Sequence, residues 1–167
     1  TVFQAYAAGA PQVSGDQVQL AVRARNYALD VPLAPLYGGT GGTDGGSEVE
    51  GKPKPTCWGF CRNVTPVLFD TANLVFDVHG IGRVGSIAVY DRGVALVNDG
   101  DYASYAALTG ASITAGRYAT CLAEGKFRLA STPAYPVTAD VAGDAGTTST
   151  DGGGYVSSPA LLIRRIL

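Results

Sequence analysis

Fourteen carboxylates, three thiols and a single imidazole are the groups in this 167-residue chain with the most obvious chemistry. Asp99 and Asp101, with Asp91 close by in sequence, have the spacing of a calcium loop or of a glycosidase acid pair. A calcium loop needs further carboxylates and a bidentate Glu, and Tyr102 to Gly110 holds none. Glycosidase carboxylates straddle a cleft, which acids adjacent on one loop seldom do. Turn and capping roles are therefore expected, with Asp99, Asp101 and Glu124 kept as the acids a glycan hydrolase would use. His79 is the only histidine and sits in a Gly-rich turn, so neither a Ser-His-Asp nor a Cys-His set can be assembled. No catalytic, cofactor-binding or metal residue is assigned.

Cys57 and Cys61 flank Trp58-Gly59-Phe60, and Cys121 stands apart. C-x3-C with one distant histidine falls short of a zinc set. Buried thiols are the first expectation, because free cysteine behaves as a small apolar residue. A Cys57–Cys61 disulfide stays open.

Two glycine motifs approach nucleotide sites. Gly46-Ser-Glu-Val-Glu-Gly51-Lys52-Pro53 lacks the hydroxyl residue that must follow the lysine, and Glu48 and Glu50 stand where phosphates would sit. Gly80-Ile-Gly82-Arg-Val-Gly85 matches the dinucleotide spacing, but that fingerprint requires a helix to begin there. Only Arg83 to Tyr90 precedes the next turn, and Ile87, Val89 and Tyr90 suit a strand. A glycine-rich hairpin connection is expected instead. Asn63-Val64-Thr65 is a formal glycosylation sequon followed by Pro66, and it is discounted for want of a secretory context.

The elements that hold these residues are mostly strands. Gln17 to Arg25 alternates, with Val18, Leu20, Val22 and Ala24 on one side, and predicts a half-buried strand that Asn26 to Val31 would extend. Gly38 to Pro55 holds seven glycines and predicts a long loop, of the kind that commonly serves function or binding. Val64–Phe69 and Asn73–Val78 are apolar runs divided by Asp70-Thr71-Ala72. Val84–Tyr90 and Val94–Val97 flank Asp91-Arg92-Gly93, a hairpin signal. Asp101 is the expected N-cap of one short helix through Tyr102, Tyr105, Ala106 and Leu108, ended by Gly110. Arg117–Ala123 and Lys126–Ala130 flank Glu124-Gly125, a second hairpin, and Val137, Ala139 and Val141 give a further strand. Gly143 to Gly154 reads as a linker or loop tip. Pro159 to Leu167 reads as the first turns of an apolar helix.

The expected fold is mainly β, a β-rich α+β arrangement of antiparallel, sandwich-like sheets with short hairpins and one helix near 101–110. The expected segments are 1–55, N-terminal strands and the Gly-rich loop; 56–145, the β-rich core; and 146–167, a linker and the start of a helix. Charged residues make up only 16%, against about 25% for typical soluble domains. Mean hydropathy is +0.13, which argues against disorder and for surface hidden against neighbours. Net charge is −2, with no basic face beyond Arg164-Arg165, so no nucleic-acid partner is expected. No apolar run reaches the roughly 18 residues of a membrane span, and no membrane insertion is expected. No signal peptide is visible, and a chain without Met that opens on Thr1 is read as cut from a longer polypeptide.

Several stretches carry a resemblance. They are Tyr37-Gly-Gly-Thr-Gly-Gly-Thr-Asp-Gly-Gly46 running into Gly51-Lys-Pro-Lys-Pro55, Arg62-Asn-Val-Thr-Pro66, Asn73-Leu-Val-Phe76 and Ala88-Val-Tyr-Asp-Arg-Gly-Val-Ala-Leu96. Asp101-Tyr-Ala, Ala115-Gly-Arg-Tyr-Ala-Thr-Cys-Leu-Ala-Glu-Gly125 and Val137-Thr-Ala-Asp-Val141 complete them. Over residues 17 to 167 the chain resembles an internal region of tail-tip or baseplate proteins of tailed bacteriophages and prophages. The resemblance implies a non-enzymatic structural module of a virion tail, made in the bacterial host cytoplasm. Its implied partners are other tail or baseplate subunits, including copies of itself, and a host surface glycan or receptor. It transfers no catalytic residue and no cofactor. Thr56-Cys-Trp-Gly-Phe-Cys-Arg62 departs from it, where ordinary apolar and small residues are expected. The alternatives are a carbohydrate- or receptor-binding module using Trp58, Phe60 and the tyrosines, and, behind it, a glycan hydrolase.

Overall fold

The computed structural model describes residues 5–7, 9–19, 21–24, 34–145 and 155–166. The chain divides into two compact units, Thr1–Leu33 and Ala34–Leu167. The Gly-rich loop, expected to group with the N-terminal strands, therefore belongs with the core.

The first unit is a hairpin in two stages. β1 (Ala5–Ala7) pairs antiparallel with β4 (Val22–Ala24), and β2 (Gln12–Ser14) pairs with β3 (Gln17–Gln19) across Gly15-Asp16. The strand expected over 17–25 is thus split between two partners. Val18 lies opposite Val13 and both are exposed, so the predicted alternation does not make Val18 a core residue. Leu20, Arg25 and the extension through Val31 lie outside the described residues.

The second unit is a two-sheet sandwich, mainly β as expected. β5 (Phe60–Val64), β13 (Val137–Ala142), β8 (Ser86–Asp91) and β9 (Val94–Ala95) form a four-stranded sheet in the order β5-β13-β8-β9. β10 (Val97–Asp101), β11 (Arg117–Cys121), β12 (Lys126–Leu129), β7 (Val75–Asp77) and β6 (Val67–Asp70) form a five-stranded sheet in the order β10-β11-β12-β7-β6. All pairings in the two sheets are antiparallel except β10–β11, which is parallel. That pair departs from the expected all-antiparallel pattern, because α1 carries the chain back between its two strands. β9 runs into β10 across Leu96, so one extended stretch leaves the first sheet and enters the second.

Local chemistry accounts for the turns. Arg92 (φ 51) and Gly93 (φ 78) both take the left-handed region, the pattern that matches the twist of a two-residue hairpin. Gly125 (φ 63) ends a single 3₁₀ turn over 122–124 between β11 and β12, and a Cβ there would collide with the His79 backbone. Gly80–Gly85 opens no helix. It crosses from β7 in one sheet to β8 in the other, rather than closing the hairpin that was expected.

The helix α1 (Tyr105–Thr109) begins later than expected. Asp101 belongs to β10, and its carboxylate accepts from Thr120 Oγ1 and Leu122 N, both at 2.9 Å. Ser104, with extended backbone, is the cap, accepting from Ala107 N at 3.2 Å. A second helix, α2 (Pro159–Ile166), lies where the apolar C-terminal turns were predicted. Among the described residues, no helix is long and apolar enough to cross a membrane.

Two cores share the five-stranded sheet. One face presents Phe76, Tyr118, Phe127 and Leu129 to Ile87, Val89, Ala139 and Val141 of the four-stranded sheet. The opposite face presents Phe69, Val75, Ala119 and Cys121 to Tyr37, Val49 and Leu108. Alternation along β7, β11 and β12 divides the residues between the two cores.

Candidate functional site

The long glycine-rich segment is a packed cover over the second core. A bridge pairs Leu36 with Pro53, Tyr37 N donates to Lys52 O at 3.0 Å, and Gly51 N donates to Tyr37 O at 2.8 Å. The loop is closed at its base and folds its own residues inward, as a compact surface loop does. Lys52 Nζ donates to Glu48 O at 2.8 Å, and no helix follows, so the segment has no phosphate cradle.

Tyr37 carries the cover's polar anchor. Its hydroxyl donates to Asp77 Oδ2 at 2.8 Å, and both residues are buried. Asp77 lies directly opposite Lys126 in the β7–β12 register, with Nζ 3.9 Å from Oδ2. Asp77 Oδ1 accepts from His79 N at 3.2 Å. Burial raises the Asp77 carboxyl above its ordinary range, while Lys126 and the hydrogen bonds from Tyr37 and His79 oppose that shift. Lys126 Nζ also donates to Glu124 O at 3.0 Å and stands 5.3 Å from the centre of the Phe69 ring. On the same strand face, Arg128 Nη1 donates to the carbonyls of Leu108, Thr109 and Ala111, at 3.2, 2.9 and 2.8 Å. Arg128 thereby satisfies the carbonyl end of α1 with a cation. Sequence reasoning did not single out Tyr37, Asp77, Lys126 or Arg128. The available signal was an acid embedded in the apolar run Leu74-Val-Phe-Asp-Val78.

Of the acids singled out, Asp99, Asp101 and Glu124 each accept from a backbone amide. Asp99 accepts from Thr114 N at 2.6 Å and Arg117 Nη1 at 2.9 Å, and the Thr114 amide leads in holding its carboxyl below the usual range. Glu124 Oε1 accepts from Tyr105 N at 3.0 Å, capping α1 from another element. Asp91 ends β8 opposite Val137, at the hairpin turn. Asp99 and Asp101 each tie a loop or turn to β10, and Glu124 ties the start of α1 to the turn between β11 and β12. His79 is fully buried, its Nδ1 accepting from Cys57 N at 3.0 Å and its ring edge-on to Trp58. All three cysteines are free thiols, with Cys57 and Cys121 buried. Among the described residues no group of three or more His, Cys, Asp or Glu could hold a metal.

Two concavities are lined by described residues of this unit. One, of about 320 Å³, lies between the cover and the β6–β7 turn, with Glu48, Asp70, Asn73 and Tyr105 at its wall. Asp70 there accepts from Asn73 N at 3.0 Å, Asn73 Nδ2 at 2.7 Å and Tyr105 Oη at 2.5 Å. Burial pushes its carboxyl up, but those donors outweigh it and hold the group low. Burial, then the hydrogen bond to Asp70 and its charge, pushes Tyr105 up to about 12. The pair holds a fixed carboxylate and a fixed phenol, neither suited to exchange protons near neutrality. The second, of about 360 Å³, is lined by Leu68, Leu74, Phe76, Pro133, Tyr135 and Val137 and opens where β6 and β13 begin. Tyr135 is 45% exposed there, with the Arg92 guanidinium 3.6 Å from its ring centre. Trp58 and Phe60, the platform of the carbohydrate-binding alternative, meet His79 and Tyr155, with Phe60 still 46% exposed. No family model matches the chain, and no curated protein or solved structure matches it either.

Proposed function

We propose that this chain is a non-catalytic structural module of a phage-like tail tip or baseplate, assembling with copies of itself and with other tail subunits. One observation carries the proposal. Large apolar side chains stand exposed on edge strands: Phe60 on β5 and Val94 on β9, the two edges of one sheet, and Val97 on β10, an edge of the other. Uncovered edges with apolar side chains are templates for pairing, and monomeric proteins blunt them with charge or proline. In a tail assembly they would lie against neighbouring subunits. The low charge content and the resemblance of residues 17–167 to tail-tip and baseplate regions support the same reading, as does the engagement of Asp99, Asp101 and Glu124 in structural bonds.

A carbohydrate- or receptor-binding role is the second reading, favoured by half-exposed Tyr135 beside Thr65 and Thr132 at the mouth of the 360 Å³ pocket. Light scattering on the chain, with a host-glycan panel on the same preparation, separates the two. Assembly predicts a concentration-dependent oligomer that Val97→Lys shifts toward monomer. A strict monomer at every concentration overturns the proposal, and glycan binding by that monomer moves the function to the second reading. Glycan hydrolysis abolished by a single carboxylate-to-amide change overturns both.

A further inference from the structure

We propose that Cys57 and Cys61 form a covalent modification site: with a small-molecule disulfide as oxidant, their sulfurs join and clip edge strand β5 to the segment leading into it. Cys57 is 4% exposed and belongs to the core between the sheets. Cys61 is the inward residue of β5 between exposed Phe60 and Arg62, lies opposite Val141, and packs on the same core. Its thiol donates to Trp58 O at 3.5 Å, and the Cys57 thiol donates to Val78 O at 3.2 Å. Both side chains thus meet one core from either side of a three-residue turn.

The backbone supports this approach. Gly59, with φ 74, turns the chain between the cysteines, and its carbonyl accepts from Gly143 N at 2.8 Å. Cys57 is held further by the hydrogen bond its amide donates to His79 Nδ1 and by close packing of Gly143 on its backbone. Two cysteines packed on one core across a fixed turn lose little freedom when they are joined. Cys121 is excluded as a partner, since it faces the second core across the five-stranded sheet. That arrangement makes one pair and one isolated thiol from an odd count of three.

The chemistry balances with oxidised glutathione as the disulfide. Part-exposed Cys61, as thiolate, attacks one glutathione sulfur, breaking that S–S bond and releasing one glutathione thiolate. Cys57, as thiolate, then attacks the Cys61 sulfur and releases the second glutathione. The protein gives up two electrons and two protons, and the product is one protein disulfide and two glutathione thiols. Burial, then the neighbouring Cys61, pushes the Cys57 thiol up to about 12. The closing step is therefore slow near neutrality and quickens as pH rises.

The test incubates the whole chain with oxidised glutathione, quenches with acid, then counts maleimide-reactive thiols under denaturing conditions and maps the peptides. Three reactive thiols should fall to one, with Cys57 joined to Cys61 and full reversal by dithiothreitol. Cys57→Ser should stop at a glutathione adduct on Cys61, and Cys61→Ser should keep two reactive thiols. Cys61→Ser alters a part-exposed strand position, so it keeps the test valid if the buried Cys57 variant does not fold. Three reactive thiols after prolonged oxidation, a lasting Cys61 adduct in the unaltered chain, or a bridge to Cys121 overturns the proposal.

Discussion

The two faces of the five-stranded sheet are closed by different means. Toward the other sheet, Phe127 stacks on Phe76 with ring centres 5.0 Å apart and takes Tyr118 edge-on at 6.3 Å, among aliphatic residues. Toward the cover and α1, the same strands present Asp77, Lys126 and Arg128 among the apolar residues. A sheet can close one face by area alone, because a second sheet brings its own paired backbone. A loop and a five-residue helix bring unpaired backbone groups and a phenol, so the face beneath them must supply partners. Arg128 meets the helix carbonyls, and Asp77 meets Tyr37. Ionisable groups on that face are the means of attaching irregular structure.

The comparison breaks first at Phe127. Phe127→Ala removes the ring between two aromatic neighbours and should cost about 4 kcal/mol, read as a shift in the denaturant midpoint. A loss below about 1 kcal/mol would mean that the apolar face is not what closes the sandwich.

Asp77→Ala comes next, at about 3 kcal/mol, because it leaves Lys126 without its anion and Tyr37 without its acceptor. Adding Lys126→Met should recover part of that loss, since both charges are then gone. Simple additivity of the two changes would show that the pair is not coupled.

The smallest effect separates the acids by sign. Asp70 is held below the ordinary value of 3.8, so its stabilisation is present above that value and lost as pH falls through its folded pKa. Asp77 is raised, so the pH-linked part of its contribution is present below 3.8 and lost as pH rises through its folded pKa, while its contacts with Tyr37 and Lys126 remain. Urea midpoints between about pH 2 and 6 should show the acid limb flattened by Asp70→Asn, with Asp77→Asn removing the opposing slope. The same slope in both variants would contradict the assignment.

The hairpins were legible because their signals are local. Arg92-Gly93 sets a left-handed pair of residues, and apolar alternation at 137, 139 and 141 marks the inner face of β13 whatever it pairs with. The α1 start was misplaced because Asp101 and Ser104 are both competent caps, and only the docking of β10 on β11 occupies Asp101 with Thr120 and Leu122. The Gly-rich segment was legible as a loop but not as a cover, since Tyr37 finds Asp77 forty positions away. The same limit applied to the cysteines, whose shared core is set by the β5–β13 pairing.

The sequence by itself determined the β-rich class, the main turns and the alternation of core residues, all of which depend on neighbours a few positions apart. Tertiary structure alone decided which strands pair, that β10 runs parallel to β11, and that Asp77 stands opposite Lys126 beneath Tyr37. Those outcomes depend on register between segments distant in the chain, where one residue of slip turns every side chain to the other face.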